Sequence, residues 1–265
     1  MKHNQLLING PKIKTNWFQL ITGYLILTFT YHVAEYAMRF HQHIPLFLGF
    51  MFAVVPVAFL VAKWQGFKGL SAWGLQTNRR TLIWLALGLV LGFLINVLAF
   101  LVRIWLNIEV VSATPSLQAM VMTTLIFALG TFLPSLAEDI LTRGYLYKHL
   151  ENRISKLGFI LVSSTIYVLN HIYVLGNGPA QLIYLFVIGL MLAIPLVNTD
   201  NLWYTVGAHW AGNIVYRFTS DVIKVERGSN DFPSLWELTL FILLFVFINQ
   251  IITKVIRQNI RGKLN

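Results

Sequence analysis

Long apolar runs alternate with short polar stretches along this chain, and the runs are about as long as a bilayer is thick. A membrane helix needs roughly 20 consecutive apolar residues. Eight runs meet or approach that length: 17–37, 46–62, 81–106, 117–147, 157–174, 180–197, 202–218 and 235–256. The pattern predicts an all-α, polytopic membrane helix bundle of about eight transmembrane helices. The fourth run is too long for one plain span and is expected to break at Pro134. Thr15-Asn16 and Thr77-Asn78 stand where N-caps are wanted. Trp17, Trp105, Trp203 and Trp236 fall near run ends, at the level where interfacial tryptophans sit. Gly88 and Gly92 are spaced for a close helix–helix face. No repeat or composition shift divides the chain, so residues 1–265 are expected to form a single integral membrane domain.

Composition agrees. The chain is 57% hydrophobic and 11% charged, against roughly 25% charged for a soluble domain. The first apolar run lacks a small-residue cleavage pattern and is followed by many more, so no cleavable signal peptide is expected. Cysteine is absent, which excludes disulfides, a thiolate nucleophile and Cys-based metal sites.

The net charge of +10 would point to nucleic acid in a soluble protein. Here it follows membrane topology, and no nucleic-acid motif is present. If the N-terminus is cytoplasmic, one side collects Lys2, Lys12 and Lys14, then Lys63, Lys68, Arg79 and Arg80. The same side collects Arg143, Lys148, Arg153 and Lys156, then Lys254, Arg257, Arg261 and Lys263. These are 15 of the 20 basic residues. The other five, Arg39, Arg103, Arg217, Lys224 and Arg227, fall on the far side. An odd number of spans would scramble this asymmetry, so both termini are expected in the cytoplasm of a multi-pass protein of the cell membrane.

One segment does not fit plain membrane helix. The stretch PSLAEDILTRGYLY, residues 134–147, carries Glu138, Asp139 and Arg143. Each charge at the centre of a membrane helix costs roughly 2.5–3.5 kcal/mol. Asp139 and Arg143 are four apart and share a helix face, where they can pair. Glu138 is rotated about 100° from Asp139 and lacks a partner on its own helix, which makes it a candidate for chemistry. Two other runs present polar pairs at the same spacing: Tyr167 and His171 in YVLNH, His209 and Asn213 in HWAGN. Gly207, Ala208, Ala211 and Gly212 leave His209 uncrowded. A lone membrane His can be a packing residue, and an acid–Arg pair can be a clamp. Three such pairs in order on separate helices are harder to reach by chance.

Glu138-Asp139-x3-Arg143, Tyr167-x3-His171 and His209-x3-Asn213 resemble the three motifs of the CPBP family. That family comprises CAAX prenyl proteases and bacteriocin-processing or immunity proteins, also called Abi. Its pattern is Glu-Glu-x3-Arg, Phe-x3-His, then His-x3-Asn or similar. The resemblance covers roughly residues 117–218. Asp139 replaces the second Glu and is one methylene shorter. Tyr167 replaces Phe and adds a hydroxyl.

The resemblance implies an intramembrane endopeptidase that cuts a membrane-associated peptide or protein, in bacteriocin self-immunity or peptide maturation. Peptide hydrolysis needs an activated water, an oxyanion stabiliser and a proton donor for the leaving amine. Glu138 is the candidate general base, with burial expected to raise its pKa toward neutrality. His171 would hold the water and shuttle a proton. His209 and Asn213 would donate to the oxyanion, with Asp139, Arg143 and Tyr167 in support. No cofactor is the leading expectation. Zinc is the second option, because Glu138, His171 and His209 make a His2Glu set.

Two other functions stay open. A non-catalytic immunity or scaffold protein could keep the motifs as a structural polar network. A transporter would suit charged residues in spans and the helix prolines Pro56, Pro134 and Pro195, although no paired discontinuous helices occur in corresponding halves. Elsewhere, His32, Glu35 and Arg39 are read as an interfacial ion pair, Asn96 as an interhelical hydrogen bond and Arg103 as a snorkelling residue.

Overall fold

A computed structural model of the chain describes residues 16–78 and 81–262, and 79% of the residues are helical. The expectations for Thr15, for Lys2, Lys12 and Lys14, for Arg79 and Arg80, and for Lys263 and the Arg261 side chain lie outside the described residues. Helices α1 (Trp17–His41), α2 (Ile44–Trp64) and α3 (Thr81–Trp105) come first. Then follow strand β1 (Glu109–Ala113), α4 (Leu117–Asp139), α5 (Tyr145–Leu150), α6 (Lys156–Asn170) and α7 (Pro179–Thr199). The chain ends with α8 (Trp203–Arg217), β2 (Lys224–Arg227) and α9 (Ser234–Gly262). Each of the eight apolar runs holds a helix. Five helical segments are long and apolar enough to cross a bilayer: Ile44–Trp64, Thr81–Trp105, Leu117–Leu150, Pro179–Thr199 and Ser234–Gln258.

The helix starts follow local chemistry. The Asn16 side chain caps α1 by accepting from the Phe18 N–H at 3.0 Å. Ser116 and Ser155 do the same for α4 and α6. Before α3, the backbone N–H of Asn78 donates to the Thr81 hydroxyl at 3.1 Å. Trp17, Trp105 and Trp236 are exposed at helix ends, as expected. Trp203 is half-buried and donates its indole N–H to the Gln76 carbonyl.

Two expectations are corrected. Helix α4 does not break at Pro134 but runs through it. The missing N–H frees one carbonyl a turn earlier, a defect that membrane helices tolerate. The irregularity comes instead at Ile140–Gly144, a π turn that joins α4 to α5 as one continuous rod. In addition, the connections after α3 and α8 are not plain loops. They pair as an antiparallel ribbon, Glu109 opposite Arg227 and Val111 opposite Val225, in which β-branched residues suit the extended backbone. The protein is therefore nearly all-α.

Helix α8 is the pivot of the bundle. Six consecutive residues, Tyr204 to His209, are buried, and the closest neighbour is α3. A Cβ at Gly88 would collide with the Tyr204 carbonyl, and one at Gly92 would press on the Ala208 backbone. Reciprocally, Gly207 lies against the Leu85 carbonyl. Gly88 faces 204 and Gly92 faces 208, so the two helices run parallel. Gly88→Val forces this backbone contact apart. A loss of about 3 kcal/mol is expected, read as a lowered melting temperature of the protein in detergent. Asn96, expected to bond across helices, instead donates to the Gly92 carbonyl of its own helix.

Candidate active site

The irregular end of α4 brings the acids and Arg143 into the bundle. Ser135 through Gly144 are all buried. The Arg143 Nη1 donates to Asp139 Oδ1 at 2.5 Å, and neither side chain has exposed surface. Across the π turn the two remain on one face, as their spacing predicts. The guanidinium also lies over the Tyr167 ring, 4.5 Å from its centroid. Phenylalanine would offer the same ring face, so the hydroxyl of Tyr167 is not what this contact uses. Gly144 lets the rod approach the turn Leu70–Trp73, because a Cβ there would meet the Trp73 carbonyl.

Glu138 points away from that pair and finds its partners on two other helices. Its Oε1 accepts from Asn170 Nδ2 at 3.0 Å. The same oxygen lies 3.7 Å from His171 Nδ1, and Oε2 lies 3.6 Å from His209 Nε2. His209 Nδ1 in turn stands 3.4 Å from Asp139 Oδ1. The two acids therefore flank one imidazole, and Arg143 balances the second acid. Glu138 is 6% exposed and His209 7%.

His171 is the C-cap of α6, where the helix ends and the ring is released toward the site. Its Nδ1 lies 2.8 Å from the Tyr167 carbonyl. A carbonyl can only accept, so Nδ1 carries the hydrogen and Nε2 is the atom with a free lone pair when the ring is neutral. Asn213 does not touch Glu138. Its Nδ2 donates to the Ser135 hydroxyl at 2.9 Å, one turn before Glu138 on the same helix. Tyr167, His171, His209 and Asn213 together line one end of a cavity of about 1220 Å³.

The depth of His171 follows from helix lengths. The α4–α5 rod has 34 residues, about 50 Å at 1.5 Å each, so it overruns a bilayer core. Glu138 stands about 18 Å from its end at Leu150, and His171 about 22 Å from the start of α6. Measured from these adjacent ends the two are level. The alignment comes from the overrun of α4–α5 and needs no kink at Pro134.

Residues 120–215 match the family model of type II CAAX prenyl endopeptidase Rce1-like proteins. The matched segment holds Glu138, Asp139, Arg143, Tyr167, Asn170, His171, His209 and Asn213, every side chain of the cluster. The resemblance to the CPBP family is thereby borne out over a little more than a third of the chain. No curated protein and no solved structure matches.

The His2Glu set of Glu138, His171 and His209 raises the question of zinc. Among the described residues no three His, Asp or Glu side chains are gathered as a metal shell. The His171 atom nearest Glu138 is Nδ1, whose hydrogen goes to the Tyr167 carbonyl, so the nitrogen left to bind a metal, Nε2, is the one farther from the carboxylate. The arrangement does not fit a His2Glu zinc site.

Asn170 is the residue that the motif spacing did not reveal. It sits beside His171 at the last position of α6, is 6% exposed, and makes the only hydrogen bond to the Glu138 carboxylate among the described residues. A signal existed in the sequence, an amide at the apolar end of a helix beside an imidazole, but its target was out of reach. Asn170→Leu leaves Oε1 without its donor. We expect a ten- to hundredfold fall in kcat with KM little changed, measured on any peptide that the native protein cleaves.

Proposed function

We propose that the protein is an intramembrane endopeptidase that hydrolyses a peptide bond in a membrane-associated peptide or protein. The observation that carries this reading is the Glu138 carboxylate, set between two imidazoles and an amide beside a large cavity. The Rce1-like family model supports the reaction class.

In this mechanism a water between Glu138 and the cavity gives its proton to Oε2, the oxygen that Asn170 leaves free. The resulting hydroxide adds to the substrate carbonyl. His209 and the second N–H of Asn213 donate to the oxyanion as it forms. His171, its Nδ1 held by the Tyr167 carbonyl, keeps Nε2 free to hold the water, and the proton taken up by Glu138 passes to the departing amine. Asp139, itself held by Arg143, keeps His209 in place. No step passes through a metal.

We further infer a single membrane domain of eight spans with both termini cytoplasmic in the cell membrane. The loop charges support this, as does the course of eight successive helical rods. Peptide maturation or bacteriocin self-immunity is the role that fits such an enzyme. The test is direct. Reconstituted protein is incubated with membrane-associated peptides, with and without a chelator, and new termini are read by mass spectrometry. Cleavage in both conditions supports the proposal, and no cleavage beyond that of empty vesicles counts against it.

A further inference from the structure

The cavity beside the imidazoles follows α8 up to Thr219 and passes under the β1–β2 ribbon. Its far end is balanced in charge. Arg103, expected to snorkel, is instead 8% exposed and pairs there with Glu109 at 3.3 Å, with Glu237 of α9 beside it. The near end is different. Tyr167 lines it and is 4% exposed. The Tyr167 ring is fixed on three sides. The Arg143 guanidinium lies 4.5 Å from its centroid, the His171 ring meets it edge-on at 4.6 Å and the His209 ring at 6.2 Å. None of these contacts uses the hydroxyl.

Among the described residues nothing hydrogen-bonds to that hydroxyl. The other buried tyrosines behave differently. Tyr31 donates to Glu35 at 3.3 Å, Tyr145 to the Leu20 carbonyl at 2.7 Å and Tyr204 to Asn249 Oδ1 at 2.6 Å. A buried hydroxyl left without a partner is costly, so the partner of Tyr167 has to come from the cavity. The charge that acts on this hydroxyl most strongly is Glu138, ahead of Arg143 and Asp139. The phenol therefore opens on the cavity within reach of the charge on the candidate base.

We propose that Tyr167 is a further catalytic residue, whose hydroxyl donates a hydrogen bond to the oxyanion. The proposal rests on the peptidase reading and adds a donor to it. As water adds to the substrate carbonyl, a C–O bond forms and the carbonyl π pair moves onto its oxygen. The proton of the water goes to Glu138 Oε2, and the phenol keeps its own. Negative charge thus leaves the carboxylate and appears on the substrate. A neutral phenol has one hydrogen to give. Before the addition the strongest acceptor near it is the Glu138 carboxylate; afterwards it is the oxyanion. The bond is stronger in the transition state than in the ground state, which is the condition for acceleration. The phenylalanine of the CPBP pattern offers the same ring face and no donor, so the motif by itself does not reveal this role.

The test compares full-length native protein with Tyr167→Phe in proteoliposomes, on a membrane-associated peptide that the native protein cleaves. kcat should fall about ten- to hundredfold with KM little changed. The melting temperature in detergent should stay at the native value. A second probe is the same peptide with a phosphinate in place of the scissile amide, an anionic tetrahedral group. Its inhibition constant should rise by about the factor by which kcat/KM falls. Unchanged kcat, or a raised KM at native kcat, overturns the proposal, as does equal inhibition of the two proteins by the phosphinate. A fall in kcat that comes with a lowered melting temperature marks a packing role and overturns it too. Failure of the peptidase reading looks different: the native protein itself then cleaves nothing beyond what empty vesicles do, and the oxyanion role falls with it.

Discussion

Glu138→Gln abolishes peptide hydrolysis while the protein stays folded and inserted. The substitution keeps the shape of the side chain. Its amide oxygen can still accept from Asn170 Nδ2, which lies 3.0 Å from the carboxylate Oε1. What disappears is the basicity: an amide takes no proton from water at neutral pH. General-base contributions are about 10²–10⁴-fold, and with no second unpaired carboxylate at the site the loss is expected near the upper end. The measurement is the rate at which new peptide termini appear in proteoliposomes, alongside size-exclusion chromatography to show an intact fold. Unchanged cleavage would remove Glu138 from the chemistry. If the native protein cleaves nothing yet still protects its host cell, and Glu138→Gln protects equally well, the motif is a structural network in a scaffold.

The second large effect is on stability. Asp139 and Arg143 form an ion pair with no exposed surface on either side chain. Removing one partner of such a pair strands the other charge, at a cost of about 3–5 kcal/mol. Arg143→Met does this. It leaves the Asp139 carboxylate with only the His209 Nδ1 at 3.4 Å and withdraws the cation from the Tyr167 ring. We expect a large drop in the melting temperature in detergent and poor accumulation in membranes. The double variant Asp139→Asn with Arg143→Met removes both charges and should recover much of the loss. A melting temperature within a degree or two of native for Arg143→Met would show that the pair is not the anchor described here. Tyr167→Phe, by contrast, keeps the ring under the guanidinium and should change little.

Several parts of the site could be read before any fold was known. The i,i+4 spacing placed Asp139 with Arg143 and left Glu138 alone, because a helix repeats every 3.6 residues and adjacent residues diverge by about 100°. The pairs at 167/171 and 209/213 were read in the same way. Other parts could not be read. Asn170 differs from many other polar helix-end residues only in what lies across from it. Asn213 shares a helix face with His209 yet bonds to Ser135, a choice made by the packing of α8 on α4. Arg103 looked like a residue near a membrane surface, and only the ribbon and the start of α9 bury it. The ribbon itself was hidden because its strands are short and lie 110 residues apart, and pairing at that range leaves no local periodicity.

Apolar run length, charge asymmetry and residue spacing alone determined that this is a helical membrane protein with three polar pairs on three helices, since each of those signals is local in the chain. Which helices touch was decided by the tertiary structure. Small residues let α3 and α8 meet backbone to backbone, and a π turn after Asp139 carries one continuous rod through the level of His171. Glu138 has partners only because those contacts, made between segments far apart in sequence, bring Asn170, His171 and His209 around it.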